Sequence, residues 1–306
     1  MGMDQVRRRR TPLPGSLTAA PFTVADAVAA GLSRKQLRRP DLDKPFRGIR
    51  SVGHDLGRLE VLCRAYSRHM LPTHAFSHVT AARLMDLPLP LRLEQATELH
   101  VSAAAPGRAP QVNGVIGHRF AGWPVITHRG VRITSAEFTW VSLAPMLALD
   151  DLVAVGDALV EGDYAWTTID RLRSAIVSGV RGAVRLREAV EHIRVGVRSR
   201  PETHLRLGIV RSGLPEPVVA HPVWVPALQR FLHPDLAWPE WKVGLEYEGE
   251  GHRTDRWQFR HDITRVEAMV DIKWSLSRFS ADDVYSTPPP ALARARLRLE
   301  DHGWRG

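Results

Sequence analysis

The stretch FLHPDLAWPEWKVGLEYEGEGH, residues 231–252, constrains this chain more than any other. Two apolar runs of strand length flank Trp238-Pro239-Glu240-Trp241, a turn by composition. Alternation puts Lys242, Gly244, Glu246 and Glu248 on one face of the second run. Pairing centred on Pro239-Glu240 sets Asp235 opposite Gly244, and cross-strand partners share a face. Gly244 would then leave space beside Asp235, and a slip of one residue would turn Asp235 away. Gly249 and Gly251 permit a bend that returns His252 toward the same place.

Carboxylates on one face repel one another. Two arrangements relieve this: an open face solvated by water, or a bound divalent cation. Mg²⁺ and Mn²⁺ take oxygen ligands and, when bound, polarise a phosphoryl oxygen and acidify water. In the cation reading Asp235 and Glu246 are the first ligands, and Glu202 adds a third from a helix beginning near Pro201. Glu248 would hold or orient a water, and His252 would move a proton. Asp262 and Arg265, three apart, read as a helical ion pair, and Trp257, Phe259 and Trp274 read as core in preference to DNA-stacking residues.

The surrounding pattern gives these residues a domain. Val195–Pro201 carries Gly, Ser, Arg and Pro without apolar periodicity and marks a boundary. Ser199 or Arg200 precedes a helix with Pro201 in its first turn. Strands at 218–225, 231–238 and 242–248, a helix at 257–270, a strand at 273–279 and a helix at 291–301 follow. The expected order is α-β-β-β-α-β-α.

At the other end, Thr23 can cap a short helix that Gly31 terminates. Ser33 can cap a second helix, RKQLRR, with Leu37 inward and Arg34, Lys35, Arg38 and Arg39 around it. Residues 46–52 would form a β-wing with Arg47 at its tip. This is a helix-turn-helix pattern for duplex DNA, and a helical core is its competing reading. A formal net charge of +9 favours a polyanionic partner. Between the two ends, residues 56–87 read as helical, 98–134 as short strands and 135–193 as helices. His69, His74 and His78 invite a metal reading, but no carboxylate or Cys stands at ligand spacing with them and they read instead as polar contacts between helices, while Asp150 and Asp151 read as helix-start carboxylates.

The expected organisation is a disordered basic leader at 1–21, a winged-helix head at 22–54, an α+β domain at 55–195 and an α/β domain at 200–306. A single cysteine, Cys63, excludes an internal disulfide framework and reads as a buried thiol in a reducing cytoplasm. The basic start MGMDQVRRRRTPLPG has no apolar run after it, and no segment reaches the roughly 20 apolar residues of a membrane span, so no membrane partner is expected.

Residues 200–304 resemble the endonuclease-like domains related to very-short-patch repair nucleases, in the PD-(D/E)XK superfamily. The matching pieces are the Glu202 helix, HPDLAWPEWKVGLEYEGEGH, RHDITRVEAM and IKWSLSRFSADDV. The resemblance implies that Asp235 and Glu246 carry the metal and that His252 is a catalytic histidine. Glu248 stands where the wider superfamily has Lys and close relatives commonly have Asp. The first part, through FTVADAVAAGLSRKQLRR, PFRGIRSV, HVTAARLMDLPLP and Gly130–Asp157, resembles the AbiEi antitoxins of type IV toxin–antitoxin systems. That resemblance implies a winged-helix DNA-binding head, an antitoxin-like α+β domain and a cognate toxin as a partner. Three readings result: a cytoplasmic Mg²⁺-dependent DNA endonuclease, a regulator or antitoxin with an inactive nuclease fold and, behind these, an RNA-directed enzyme.

Overall fold

The computed structural model describes residues 13–120, 122–249 and 265–306. The chain is a mixed α/β protein that divides into two units. One runs to Leu84 and resumes at Ala96–Ser135, and the other takes Met85–Gln95 and Ala136–Gly306. No described helix is long and apolar enough to cross a membrane.

The first unit begins with a small head. A helical turn, α1 (Gly15–Thr18), carries buried Leu17 into a cluster with Phe22, Ala27, Leu32, Leu37 and Leu42. Residues 15–18, expected within a disordered leader, are instead helical, because Leu17 has a core to enter; residues 1–12 of that leader lie outside the described residues. Strand β1 (Phe22–Thr23) leads into α2 (Val24–Ala29), where Thr23 and Asp26 form a reciprocal capping box. Gly31, at φ +89°, turns the chain out of α2. The expected second helix is only a 3₁₀ turn, Gln36–Arg38. Pro40 pushes Arg39 into extended backbone and stops it there. Strand β2 (Ile49–Arg50) pairs antiparallel with β1.

The same unit continues with α3 (Leu59–Ser67), β3 (His74–Phe76) and α4 (His78–Leu84). Strands β4 (Leu99–Ala104), β5 (Val115–Phe120), β6 (Val125–His128) and β7 (Val131–Thr134) complete a five-stranded sheet in the order β5-β4-β3-β7-β6. The central strand β3 follows the break expected at Pro72, inside a stretch that otherwise reads in sequence as helical. It is three residues long and wholly buried, too short to show a two-residue alternation.

The second unit contains α5 (Leu91–Glu94), α6 (Ala136–Leu143), α7 (Leu149–Leu159), α8 (Ile169–Ser174) and α9 (Ala183–His192). Helix α10 (Arg200–Arg211) starts as expected, with Ser199 as its cap and Pro201 in the first turn. It is bound to α7 by charge. Asp151 accepts from Arg200 at 2.6 Å and contacts His204 at 2.9 Å, while Arg206 and Asp157, each 1% exposed, meet at 2.9 Å. Asp151 has the structural role expected of it.

Beyond α10, the strands are shorter than their sequence runs. The first run splits into β8 (Val218–Val219) and β9 (Val223–Val225), and the second into β10 (Arg230–Leu232) and β11 (Leu236–Trp238). Strands β9 and β10 form their own hairpin. Strand β12 (Val243–Tyr247), helix α11 (residues 265–271), β13 (Ser275–Phe279), α12 (Ala281–Tyr285) and α13 (Pro290–Asp301) follow. The sheet order is β13-β12-β11-β8. Its first three strands in sequence are antiparallel, and β13 is parallel to β12. On one face Leu236, Trp238, Val243, Leu245 and Phe279 pack with Leu205 and Ile209 of α10 and Leu299 of α13. On the other, Ala237 joins Trp274 and, from α11, Ala268 and Met269.

The β11–β12 register differs from the expected one by two residues. Trp238 pairs with Val243, Ala237 with Gly244 and Leu236 with Leu245. Pro239–Trp241 is a 3₁₀ turn closed by Lys242 at φ +51°, so the loop has four residues and is centred one position later than expected. A two-residue shift keeps every side chain on its face. It aligns Asp235 with Glu246 rather than Gly244. Lys242 belongs to the turn and not to the carboxylate face, and its Nζ reaches toward the Ile272 carbonyl at 3.5 Å. Gly244 does not make room for Asp235. A Cβ there would meet Pro234 and Leu276 at 3.1 Å.

Candidate functional site

Three carboxylates come together from separate elements at one end of the β8–β13 sheet. Glu202 is buried at the start of α10, where Arg198 N–H donates to Oε2 at 2.9 Å and Ser199 Oγ donates to Oε1 at 2.7 Å. Burial, and then the negative charge of Asp235, push its pKa above the usual carboxylate value. Asp235 is half-buried just before β11, and Tyr247 N–H donates to its Oδ2 at 2.7 Å. Burial raises Asp235 too, against the opposing pull of that N–H, Arg265 and Arg198. Both groups gain from a nearby positive charge.

Glu246 is buried on β12, in register with Arg278 of β13. Arg265 of α11 donates to its Oε1, and Arg278 lies 3.9 Å from its Oε2. Arg278 also approaches Glu248 at 3.5 Å. The expected partner of Arg265 was Asp262, which lies outside the described residues, as do His252, Trp257 and Phe259. Trp274 is core, as expected.

The donor set, three oxygen acids with two at raised pKa, suits a hard divalent cation. It is not drawn into a closed ligand set. Among the described residues, the group of three ligand-type side chains with atoms mutually within 4.8 Å is His78, His100 and His118. Arginine guanidinium occupies the positive position beside Glu246 instead.

The cations expected on the head are placed differently from one another. Arg34, Lys35, Arg38 and Arg47 are exposed. Arg39 is paired with Asp41 at 2.6 Å, so less of its charge is available to a ligand. Arg47 sits beside Gly48 (φ +83°), and its carbonyl contacts His69 Nε2 at 2.7 Å. With Lys44, His69 and Asn113 it lines a cleft of about 770 Å³. His69, His74 and His78, weighed together in the sequence, do not meet. His69 turns to Arg47, His74 Nδ1 accepts from Leu71 N–H at 3.4 Å, and His78 joins two histidines from later strands. No sequence spacing points to that last group, because strand pairing alone brings it together.

No family model and no solved structure matches the chain. Two curated proteins of Mycobacterium tuberculosis do: Uncharacterized protein MT2308 (strain CDC 1551 / Oshkosh) and Uncharacterized protein Rv2248 (strain ATCC 25618 / H37Rv). Each is 24% identical over 207 residues, which cover 68% of this chain and 76% of the relative. Neither name carries an activity.

Proposed function

We propose that this chain is a DNA-binding protein whose residues 200–306 form an endonuclease domain of the PD-(D/E)XK type, dependent on Mg²⁺ or Mn²⁺. The observation that carries the reading is the alignment of Asp235 with Glu246 beside Glu202, at one end of an antiparallel three-strand meander closed by a parallel strand. A bound cation supplies Lewis acidity and an acidified water. Asp235 and Glu246 hold it, and Glu202 stands ready as a further oxygen ligand. Tyr247 N–H orients Asp235, while Arg198 N–H and Ser199 Oγ orient Glu202. Glu248 holds or orients a water, and His252 exchanges the proton. Arg34, Lys35, Arg38 and Arg47 engage phosphates, with Arg39 secondary because of Asp41.

Plasmid nicking in Mg²⁺ tests this directly. The wild type is expected to nick, and Asp235→Ala/Glu246→Ala is not. Equal behaviour of the two proteins would overturn the hydrolytic assignment.

A second reading has its own observation. Arg265 and Arg278 close the carboxylate face over Glu246 and Glu248. In this reading the nuclease fold is inactive and serves a transcriptional regulator or an AbiEi-like antitoxin with a cognate toxin. Duplex binding would then survive loss of the carboxylates and fail on loss of Arg34, Lys35 and Arg38.

A further inference from the structure

A second cluster, in the other unit and of different chemistry, is independent of the proposed nuclease site. His100 lies on β4 and His118 on β5, two parallel neighbours in which Ser102 pairs with His118. The two-residue period puts His100, Ser102 and His118 on one face. The chain leaving β3 returns over that face: Ser77 N–H donates to the His100 carbonyl at 3.0 Å, and Ser102 Oγ donates to Ser77 Oγ at 2.7 Å. His78 follows at φ +50°, a left-handed conformation uncommon for a side chain of this size. That conformation, at the first residue of α4, stacks its ring on His118 with centroids 3.7 Å apart.

The nitrogens converge as well. His100 Nδ1 and His118 Nε2 are 3.0 Å apart, and each of the three rings offers a nitrogen within 4.8 Å of the others. Four-coordinate zinc, with Zn–N bonds of about 2.0–2.1 Å, holds its nitrogens roughly 3.3 Å apart. The His100–His118 pair already has nearly that separation, and the His78 nitrogen lies within 4.8 Å of both. Serine anchors one member: His78 Nδ1 contacts Ser77 Oγ at 2.9 Å, the kind of outer hydrogen bond that fixes the ring of a metal-binding histidine. Thr80 Oγ1 accepts the His100 backbone N–H at 2.7 Å and holds the β4 backbone under α4.

We infer that His78, His100 and His118 form a binding site for a borderline transition-metal ion of the Zn²⁺ class, with a fourth position left for water or a ligand. Three neutral imidazoles suit Zn²⁺, Ni²⁺ or Cu²⁺ and not Mg²⁺, which prefers oxygen. Burial holds all three rings in the neutral, ligating form. It takes His78 to about 3 and His100 to about 4, helped by the neighbouring rings, and lowers His118 as well. Three protein ligands with an open position is the arrangement of reactive zinc centres, whereas structural sites supply a fourth protein ligand.

The test is titration of the full-length metal-stripped chain with Co²⁺, read by visible d–d absorption and calorimetry, with Zn²⁺ as competitor. The site predicts one Co²⁺ per chain giving the intense bands of low coordination, displaced by Zn²⁺ and not by millimolar Mg²⁺, whereas Co²⁺ at the proposed carboxylate site would be octahedral and weakly absorbing. His118→Gln, at a half-buried position on an edge strand, should weaken binding at least about tenfold, while Asp235→Ala/Glu246→Ala leaves it unchanged. Should His100→Gln fail to fold, His118→Gln and the wild-type protein suffice, because Zn²⁺ should raise the wild-type melting temperature and raise that of His118→Gln less. An octahedral spectrum alone, intense bands indifferent to His118→Gln, or loss of those bands in the carboxylate variant would overturn the inference. The trio would then be a hydrogen-bonded histidine cluster only.

Discussion

Tyr247 donates its backbone N–H to Oδ2 of Asp235 at 2.7 Å, so β12 holds the carboxylate that stands at the entry to β11. The bond is to a backbone donor and survives any acceptor of the same shape. Asp235→Asn should therefore keep its position while losing its charge. Because Asp235 is one cause of the raised Glu202 pKa, Glu202 should titrate at lower pH in this variant. Carboxyl ¹³C shifts followed by NMR check that. Mn²⁺ affinity should fall about tenfold or more, since a charged oxygen ligand becomes a neutral one.

Arg265 gives the proposed cation site its resting partner by donating to Glu246. If Mn²⁺ and Arg265 compete for that carboxylate, Arg265→Gln should tighten Mn²⁺ binding about tenfold, a change of about 1.4 kcal/mol. Calorimetry at fixed ionic strength reads it. Unchanged or weaker binding would show that Glu246 is committed to arginine, in favour of the regulator reading.

The carboxylate face was legible because strand alternation needs only parity. Glu246, Glu248 and Asp235 stayed on their common side despite a two-residue error in register. The error came from Pro239–Trp241, which reads as a two-residue turn centre and folds as a 3₁₀ turn closed by Lys242 at φ +51°. Gly244 lacks a side chain for Pro234 rather than for Asp235. Capping chemistry at Thr23, Ser199 and Pro201 is local and was readable. Strand β3 was not, since three buried residues carry no period. The His100–His118 meeting was also hidden, because a parallel pairing across 18 positions leaves no trace in composition or spacing. Nor did Arg206 and Asp157 announce themselves, each being one charge within an apolar helical run.

That buried pair has a definite energetic signature. Asp157 also accepts from Thr203 Oγ1 at 2.8 Å and from Arg194 N–H at 2.7 Å. Removing the acid strands a buried guanidinium, so Asp157→Ala should cost about 3–5 kcal/mol in urea unfolding. A paired replacement, Asp157→Leu/Arg206→Met, should cost distinctly less, because no uncompensated charge remains. Equal losses in the single and double variants would mean that packing, not charge, dominates.

The histidine cluster sets an acid limit on the metal-free protein. His78 and His100 titrate near 3 and 4 when folded, against an ordinary value of about 6.5 when unfolded. The unfolded chain therefore binds more protons between those values, and stability falls as pH drops from about 6.5 toward 4. Above 6.5 the contribution is fully present. Denaturant midpoints at pH 7.5, 6 and 5 should decline in that order, and His118→Gln should flatten the decline by relieving the crowding of the rings. Zn²⁺ should steepen it, since protons compete with the ion for the same nitrogens.

Duplex binding by the head makes the most direct prediction about partners. Arg34, Lys35 and Arg38 are exposed within or just before a single 3₁₀ turn, with Leu37 anchoring the turn in the core. In the proposed duplex complex such a short element would hold its cations near phosphates but present few side chains to base edges, so binding should be dominated by counterion release. The triple variant Arg34→Ala/Lys35→Ala/Arg38→Ala should lower affinity across unrelated duplexes. It should also reduce the slope of log K against log salt by about 2–3, since each phosphate left without its cation removes roughly 0.9. Arg39→Ala should change the slope less, because Asp41 already neutralises that guanidinium. Fluorescence anisotropy across a salt series separates the cases, and an unchanged slope in the triple variant would move the nucleic-acid surface away from this turn.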